Sequence, residues 1–214
     1  MAIFAAMTFS EIMPDMYIPQ GVKQVDYFLF SKMNGEWHNA FLDSVIPFIR
    51  ESYLWIPFYF FLILFTTINF KIKGWYWVLF FILNAMLSDF VSSTLIKGNL
   101  FRLRPCHDPS LADKVRFLVS YCPTSSGFTS SHAANHFAIT MFIFTTFKKA
   151  LSPYWVFLFL WACIISYAQV YVGVHFPLDI FCGAIVGLIL GYIPAKIFND
   201  RIGWRAGNEI NRYD

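Results

Sequence analysis

Charge is what this chain has least of: 14% of its 214 residues are Asp, Glu, Lys or Arg, against 57% hydrophobic and 21% aromatic. A soluble domain carries about a quarter charged residues, so this composition excludes one and points to an integral membrane protein. Internal repeats, low-complexity tracts and long flexible linkers are absent, which makes one domain over 1–214 the simplest organisation. A concentrated basic patch is missing too. The net charge of +3 comes from Lys and Arg scattered among short segments, so nucleic acid is not an expected partner. The opening "MAIFAAMTFSEIMPDMYIP" has no basic start and its apolar run stops at Glu11, so it does not read as a cleavable leader. Targeting is then expected from the first transmembrane helix.

What the chain does have is apolar runs of membrane length. A helix needs roughly 20 mostly apolar residues to cross hydrocarbon. Five segments meet or approach this, at about 52–70, 75–96, 132–147, 153–172 and 176–197, and predict an all-α membrane protein with about five transmembrane helices. Residues 20–50 mix apolar and charged positions at helical spacing, which suits amphipathic helices lying in the interface. The expected organisation is an N-terminal interfacial collar (1–50), a membrane core (51–198) and a tail (199–214). With five crossings the 97–131 loop shares a side with the N-terminal segment and with the turn around Gly173. The 16 Lys and Arg divide eight to eight between the two sides, so the positive-inside rule is tied. Cys163 and Cys182 fall within apolar helices, whereas Cys106 and Cys122 lie in that loop. Whether those two pair is open from sequence; a bridge would place the loop in an oxidising compartment.

Ionisable residues near membrane depth are costly, and each is by default paired or functional. Three clusters stand out: Lys97 with Arg104-Pro105 in "KGNLFRLRP", Ser130 and Ser131 before His132 in "FTSSHAANH", and His175 with Asp179 in "QVYVGVHFPLD". All three fall on one side of the predicted topology. Two cations, two hydroxyls at a helix start and two histidines suit a phosphate group. A helix N-terminus offers unpaired N–H groups, an arginine fork matches phosphate oxygens in pairs, and a lysine adds a point charge. Pro177 suits the first turn of the last helix, so Asp179 reaches back to one nitrogen of His175 and leaves the other free as a nucleophile.

Lys97 with six residues before Arg104-Pro105, then Ser130-Ser131-His132, then His175 with three residues before Asp179, resembles the three-part signature of the type-2 phosphatidic acid phosphatase family. The motifs span 83 residues, from Lys97 to Asp179. The resemblance implies a lipid phosphatase without metal or cofactor, in which His175 attacks phosphorus and becomes a phosphohistidine. It further implies that Asp179 orients His175, that His132 protonates the leaving lipid oxygen, and that Lys97, Arg104 and Ser130 hold the phosphoryl oxygens. The chain departs from the family pattern twice. Thr129-Ser130-Ser131-His132 stands where Pro-Ser-Gly-His is usual, Ser131 still offering its backbone N–H, and Gln169 stands where the family places an arginine six residues before the nucleophile. The expected partners are a lipid phosphate and membrane lipids, with the site facing the periplasm or exterior of a bacterial inner membrane.

Other readings compete. His132 and His136 share a helix face, but no glutamate completes a zinc-hydrolase pattern. Ser130, His175 and Asp179 would make up a serine triad, yet no G-x-S-x-G elbow is present. A lipid-phosphate transporter would use the same cradle without hydrolysis. His136 reads as a packed helix residue, and Arg102, Lys114 and Arg116 as solvated loop charges, the two arginines being the ones placed to touch an anionic substrate. Asp89, mid-span, requires a polar partner that the sequence does not name. His107 and Asp108 fit either the mouth of a site or a surface turn.

Overall fold

The computed structural model describes residues 15–204; the first 14 residues of the expected collar and the expected tail from 205 lie outside the described residues. No strand occurs among the described residues. The main helices among the described residues are α1 (Gln20–Phe30), α2 (Ala40–Ile49), α3 (Ile56–Asp89), α4 (Ser131–Leu151), α5 (Trp155–Tyr171) and α6 (Pro177–Arg201). A π-helical stretch, Ser31–Glu36, extends α1, and a second, Phe90–Ile96, carries α3 on to Lys97–Asn99. Each of the five expected apolar segments is largely helical. Among the described residues, two continuous runs are long and apolar enough to cross a membrane, Ser52–Asn99 and Pro177–Arg201.

The first of these runs doubles back on itself. Lys71 leaves helical geometry with φ 52°, and a Cβ on Gly74 would lie 2.0 Å from the Thr66 carbonyl oxygen. The Tyr59 and Phe81 rings are 6.2 Å apart, although 22 residues of straight helix would separate them by about 33 Å. The turn therefore makes α3 a helical hairpin. At this end of the bundle Leu62, Trp77, Phe81, Phe142, Phe147 and Phe198 form the largest apolar cluster.

At the other end the decisive contact is between α4 and α6. Gly183, Gly187 and Gly191 recur every fourth residue on α6, and a Cβ on Gly187 or Gly191 would come within 2.3 Å of the carbonyl oxygens of Ala134 and Ala138. Small residues at this spacing let two helix backbones touch, the packing mode that serves where lipid removes the hydrophobic drive between helices. The seam matters because α4 begins with the Ser130 motif and α6 with the Asp179 motif.

The collar is more than an interfacial float. The Asn34 side chain, 1% exposed, accepts from the Arg116 N–H and donates to the Arg116 and Tyr171 carbonyls. Arg116 in turn forks onto both oxygens of Asp43 at 2.6 Å, and the Tyr171 hydroxyl donates to Asp43 at 2.6 Å. Tyr171 and Arg116 hold the Asp43 carboxyl below its ordinary value. Arg116 is thus not the free loop charge that the sequence suggested.

Candidate active site

His175 sits in the turn between α5 and α6, 3% exposed. Gly173, at φ +85°, makes that turn, and a Cβ there would lie 2.8 Å from Val115 Cγ1. The N–H groups of Val174 and His175 both donate to the Gln169 carbonyl at 3.2 Å. Arg104 Nη1 lies 3.0 Å from His175 Nε2. A guanidinium can only donate, so Nε2 is the accepting nitrogen and the ring proton belongs on Nδ1. Nδ1 faces Asp179 Oδ2 at 3.5 Å, an ion-pair spacing rather than a good hydrogen bond. Burial pushes the His175 imidazole down to about 4, with Asp179 opposing and the Arg104 charge reinforcing the shift. The ring is therefore neutral at pH 7.

Arg104 is 4% exposed and held on several sides. Its Nε donates to the Ser125 carbonyl at 2.9 Å, Nη2 to Ser125 Oγ and the Ser126 carbonyl, and Nη1 to the Val174 carbonyl at 3.2 Å. Burial lowers the guanidinium to about 10, which leaves it charged at neutral pH. Cys106 and Cys122 are disulfide-bonded, which staples the Arg104 segment to the Ser125–Ser126 segment that cradles it. Gly127 closes over the pair: a Cβ there would be 3.3 Å from Arg104 Cγ and 3.4 Å from Asp179 Oδ2.

Asp179, fully buried, begins α6. Its Oδ2 accepts from the Phe176 N–H at 2.9 Å, and its Oδ1 accepts from Arg102 Nη1 at 2.6 Å. Here the reading of Arg102 as a solvated loop charge is corrected. It is 3% exposed, stacks its guanidinium 4.3 Å above the Phe176 ring, and gives its second nitrogen to Asp26 of α1. Two carboxylates compete for it, so it is not free to swing toward a substrate. Burial raises the Asp26 carboxyl, opposed by its bond to Arg102.

The start of α4 adds the remaining groups. Ser130 is the N-cap; its hydroxyl accepts from the Ala133 N–H and its own N–H donates to the Asp179 carbonyl at 3.1 Å. The Ser131 hydroxyl turns away, bonding Ser93 at 2.8 Å. Ser93 and Asn135 both donate to Asp89 Oδ1 at 3.1 Å, which supplies the partners that Asp89 required. His132 and His175 lie within electrostatic reach of each other, and Lys97 of both. His136 Nδ1 donates to the His132 carbonyl at 2.9 Å, the bonded helix residue that was expected. The Lys97 ammonium makes no hydrogen bond among the described residues and lies within electrostatic reach of Asp179 and Asp89. The Gln169 side chain is 1% exposed, and its amide nitrogen makes no hydrogen bond among them either. Asp108 belongs to the collar contacts, accepting from Tyr27 and Ser110, while His107 is exposed with Nδ1 3.4 Å from Cys122 Sγ.

Four residues escaped sequence reading. Ser125 and Ser126 carry no motif, being ordinary loop serines until Arg104 is placed on them. Asp26 left a faint signal, a carboxylate one helical turn from Phe30, with which it shares the buried face of α1. Arg50 ends α2 within electrostatic reach of His132 and Arg104, its Nε buried without an acceptor among the described residues.

The chain is 29% identical over 187 residues to a lipid A 4'-phosphatase of Porphyromonas gingivalis, covering 83% of this chain and 74% of that protein. The crystal structure of Aquifex aeolicus LpxE superimposes with a TM-score of 0.58 at 27% identity, covering 80% of this chain and 95% of the other. A transmembrane PAP2-type phosphatidylglycerolphosphate phosphatase from Bacillus subtilis shares the fold, with a TM-score of 0.63 at 21% identity over 86% and 89% of the two chains. Residues 75–202, which carry all three motifs, match the profile of the PAP2 superfamily, and the chain belongs to that family.

Proposed function

We propose that the protein removes phosphate from a membrane lipid, without a metal ion, through a phosphohistidine formed on His175. The family and its relatives make the chain a phosphoric ester hydrolase. The observation that carries the mechanism is Arg104 Nη1 at 3.0 Å from His175 Nε2, with Asp179 facing the other nitrogen. A phosphoryl group that takes over Arg104 meets the Nε2 lone pair directly. Nε2 attacks phosphorus, the bond to the lipid oxygen breaks, and that oxygen leaves with the electron pair and a proton from His132. Water then attacks the phosphohistidine, giving a proton back to His132 as the N–P bond breaks; inorganic phosphate departs, and the ring returns neutral. Lys97, Arg104, Ser130, the Ser131 N–H and the Gln169 amide hold the phosphoryl oxygens, the last as a neutral donor.

In this reading α3 crosses the membrane twice and α4, α5 and α6 once each, giving five spans in a core over 51–198. The disulfide supports a site on the oxidising side, the periplasm or exterior of a bacterial inner membrane. The phosphorylated sugar head of lipid A is the first substrate to test, because the Porphyromonas gingivalis relative bears that name. Phosphatidic acid, phosphatidylglycerophosphate and a polyprenyl diphosphate are its competitors. The test is phosphate release from these four lipids in detergent with excess chelator. A preferred lipid, hydrolysed by the parent and not by His175→Ala, is expected; loss of activity in chelator, or equal turnover by the variant, overturns the mechanism.

A further inference from the structure

Three buried charges lie in a row behind His175. Arg102 places Nη1 2.6 Å from Asp179 Oδ1 and Nη2 on Asp26 Oδ2, with all three side chains at most 4% exposed. Asp26 Oδ1 accepts from the Leu178 N–H at 2.7 Å, so both of its oxygens accept and the carboxyl is an anion in this arrangement. The same helix α1 stacks Tyr27 on Phe176, ring centroids 4.8 Å apart, and Phe176 follows His175 directly. Two carboxylates and one guanidinium sum to one negative charge, and burying an unbalanced charge is costly. Arg104 and Lys97 lie within electrostatic reach of Asp179, and the imidazolium character His175 acquires as Nε2 bonds to phosphorus adds to these cations.

We infer that Asp26 and Arg102 are positioning residues for the nucleophile: by sharing Arg102, the N-terminal helix leaves the Asp179 carboxylate in place and under-neutralised, ready for His175. This rests on the reading of His175 as nucleophile and Asp179 as its orienter. Without Asp26, Arg102 would neutralise Asp179 alone and weaken its hold on the developing imidazolium. Without Arg102, Asp179 would keep its full charge toward His175 and hold that cation too well. The two partners of one ion pair should therefore shift the chemistry in opposite directions. A scaffolding role would shift it the same way for both.

The experiment compares purified Asp26→Asn, Arg102→Gln and Arg102→Lys with the parent, using the best lipid of the panel, a kcat/KM pH profile and binding of orthovanadate. His175 also faces Arg104, Lys97 and His132, which all variants keep. Asp26→Asn is expected to lower kcat about tenfold, less than the roughly 100-fold minimum for losing a proton-transfer group. KM should hold, and the acid limb should move to lower pH. Arg102→Gln is expected to move that limb to higher pH, and Arg102→Lys, keeping the charge, to return it toward the parent. Limbs that move together, or not at all, overturn the inference while His175→Ala remains inactive. Turnover by His175→Ala overturns the underlying mechanism instead. Should Asp26→Asn fail to fold, the Gln and Lys variants of Arg102 decide alone, and a limb that ignores the charge there overturns the inference equally.

Discussion

Arg104 and His175 meet at 3.0 Å through a nitrogen that can only donate and a nitrogen that must accept, which fixes the tautomer of the His175 ring before any substrate arrives. In the proposed mechanism the Nε2 lone pair attacks phosphorus and Arg104 holds the phosphoryl oxygens, and these two groups already meet at this contact.

From this contact follows the first expectation. His175→Ala should lose turnover entirely and trap no phospho-enzyme. His132→Ala should lose roughly 10²- to 10⁴-fold, the range of general acid catalysis, most steeply for poor leaving groups such as a lipid alkoxide. Steady-state rates on a lipid phosphate and on an activated aryl phosphate separate the two roles.

A second expectation concerns pH. Free imidazole side chains titrate near 6.5, and burial brings His175 to about 4. The nucleophile must be unprotonated, so its share of activity is complete well below pH 6.5 and is lost only as pH falls toward 4. Arg104, lowered to about 10, keeps its charge up to that pH. A kcat/KM profile whose acid limb lies near 6.5 would contradict a neutral buried His175.

The third expectation concerns the cation missing at Gln169. With Arg102 and Arg116 bound to carboxylates, the arginine left near the site is Arg50, whose closest acid is Glu51 at 3.7 Å. Gln169→Arg should bind orthovanadate more tightly than the parent. Arg50→Gln should weaken binding in the parent and matter less beside Gln169→Arg. Strictly additive effects in this cycle would mean that the two positions do not share a load.

A fourth concerns the disulfide. Closing a loop with a sequence separation of 16 restrains the unfolded loop by about 3 kcal/mol in the chain-entropy picture. Cys122→Ser should therefore lower thermal stability and weaken orthovanadate binding, since Arg104 loses its staple to Ser125 and Ser126. Unchanged binding would show that the cradle holds itself.

A fifth tests the seam. Gly187→Ala puts a methyl where only 2.3 Å separates the new Cβ from the Ala134 carbonyl oxygen, so α4 and α6 must part. A fall in both melting temperature and kcat is expected, because the His132 and His175 motifs ride on opposite sides of that seam.

The sequence spoke clearly wherever one residue type has one use in a membrane. Lys97, Arg104, Ser130, His132, His175 and Asp179 were legible because charge and hydroxyls beside apolar runs need a reason. The apolar runs were equally legible, since their length is set by the bilayer. Arg102 and Arg116 were misread because pairing is a property of distance: their partners lie 76 and 73 residues away in the chain. The glycine seam was written openly in "GAIVGLILG", but glycines name no partner helix until the backbones are laid together. Gln169 stood out by its position, and the structure adds that its amide nitrogen is buried without an acceptor among the described residues.

The family profile begins at residue 75, whereas the acid that shares Arg102 lies at 26. A catalytic module cut out along the boundaries of its family profile would retain every signature residue and still be missing a charge from its interior. Swapping such modules between relatives tests the join as much as the parts, and a chimaera that keeps its own Arg102 needs a first helix that brings an acid to meet it.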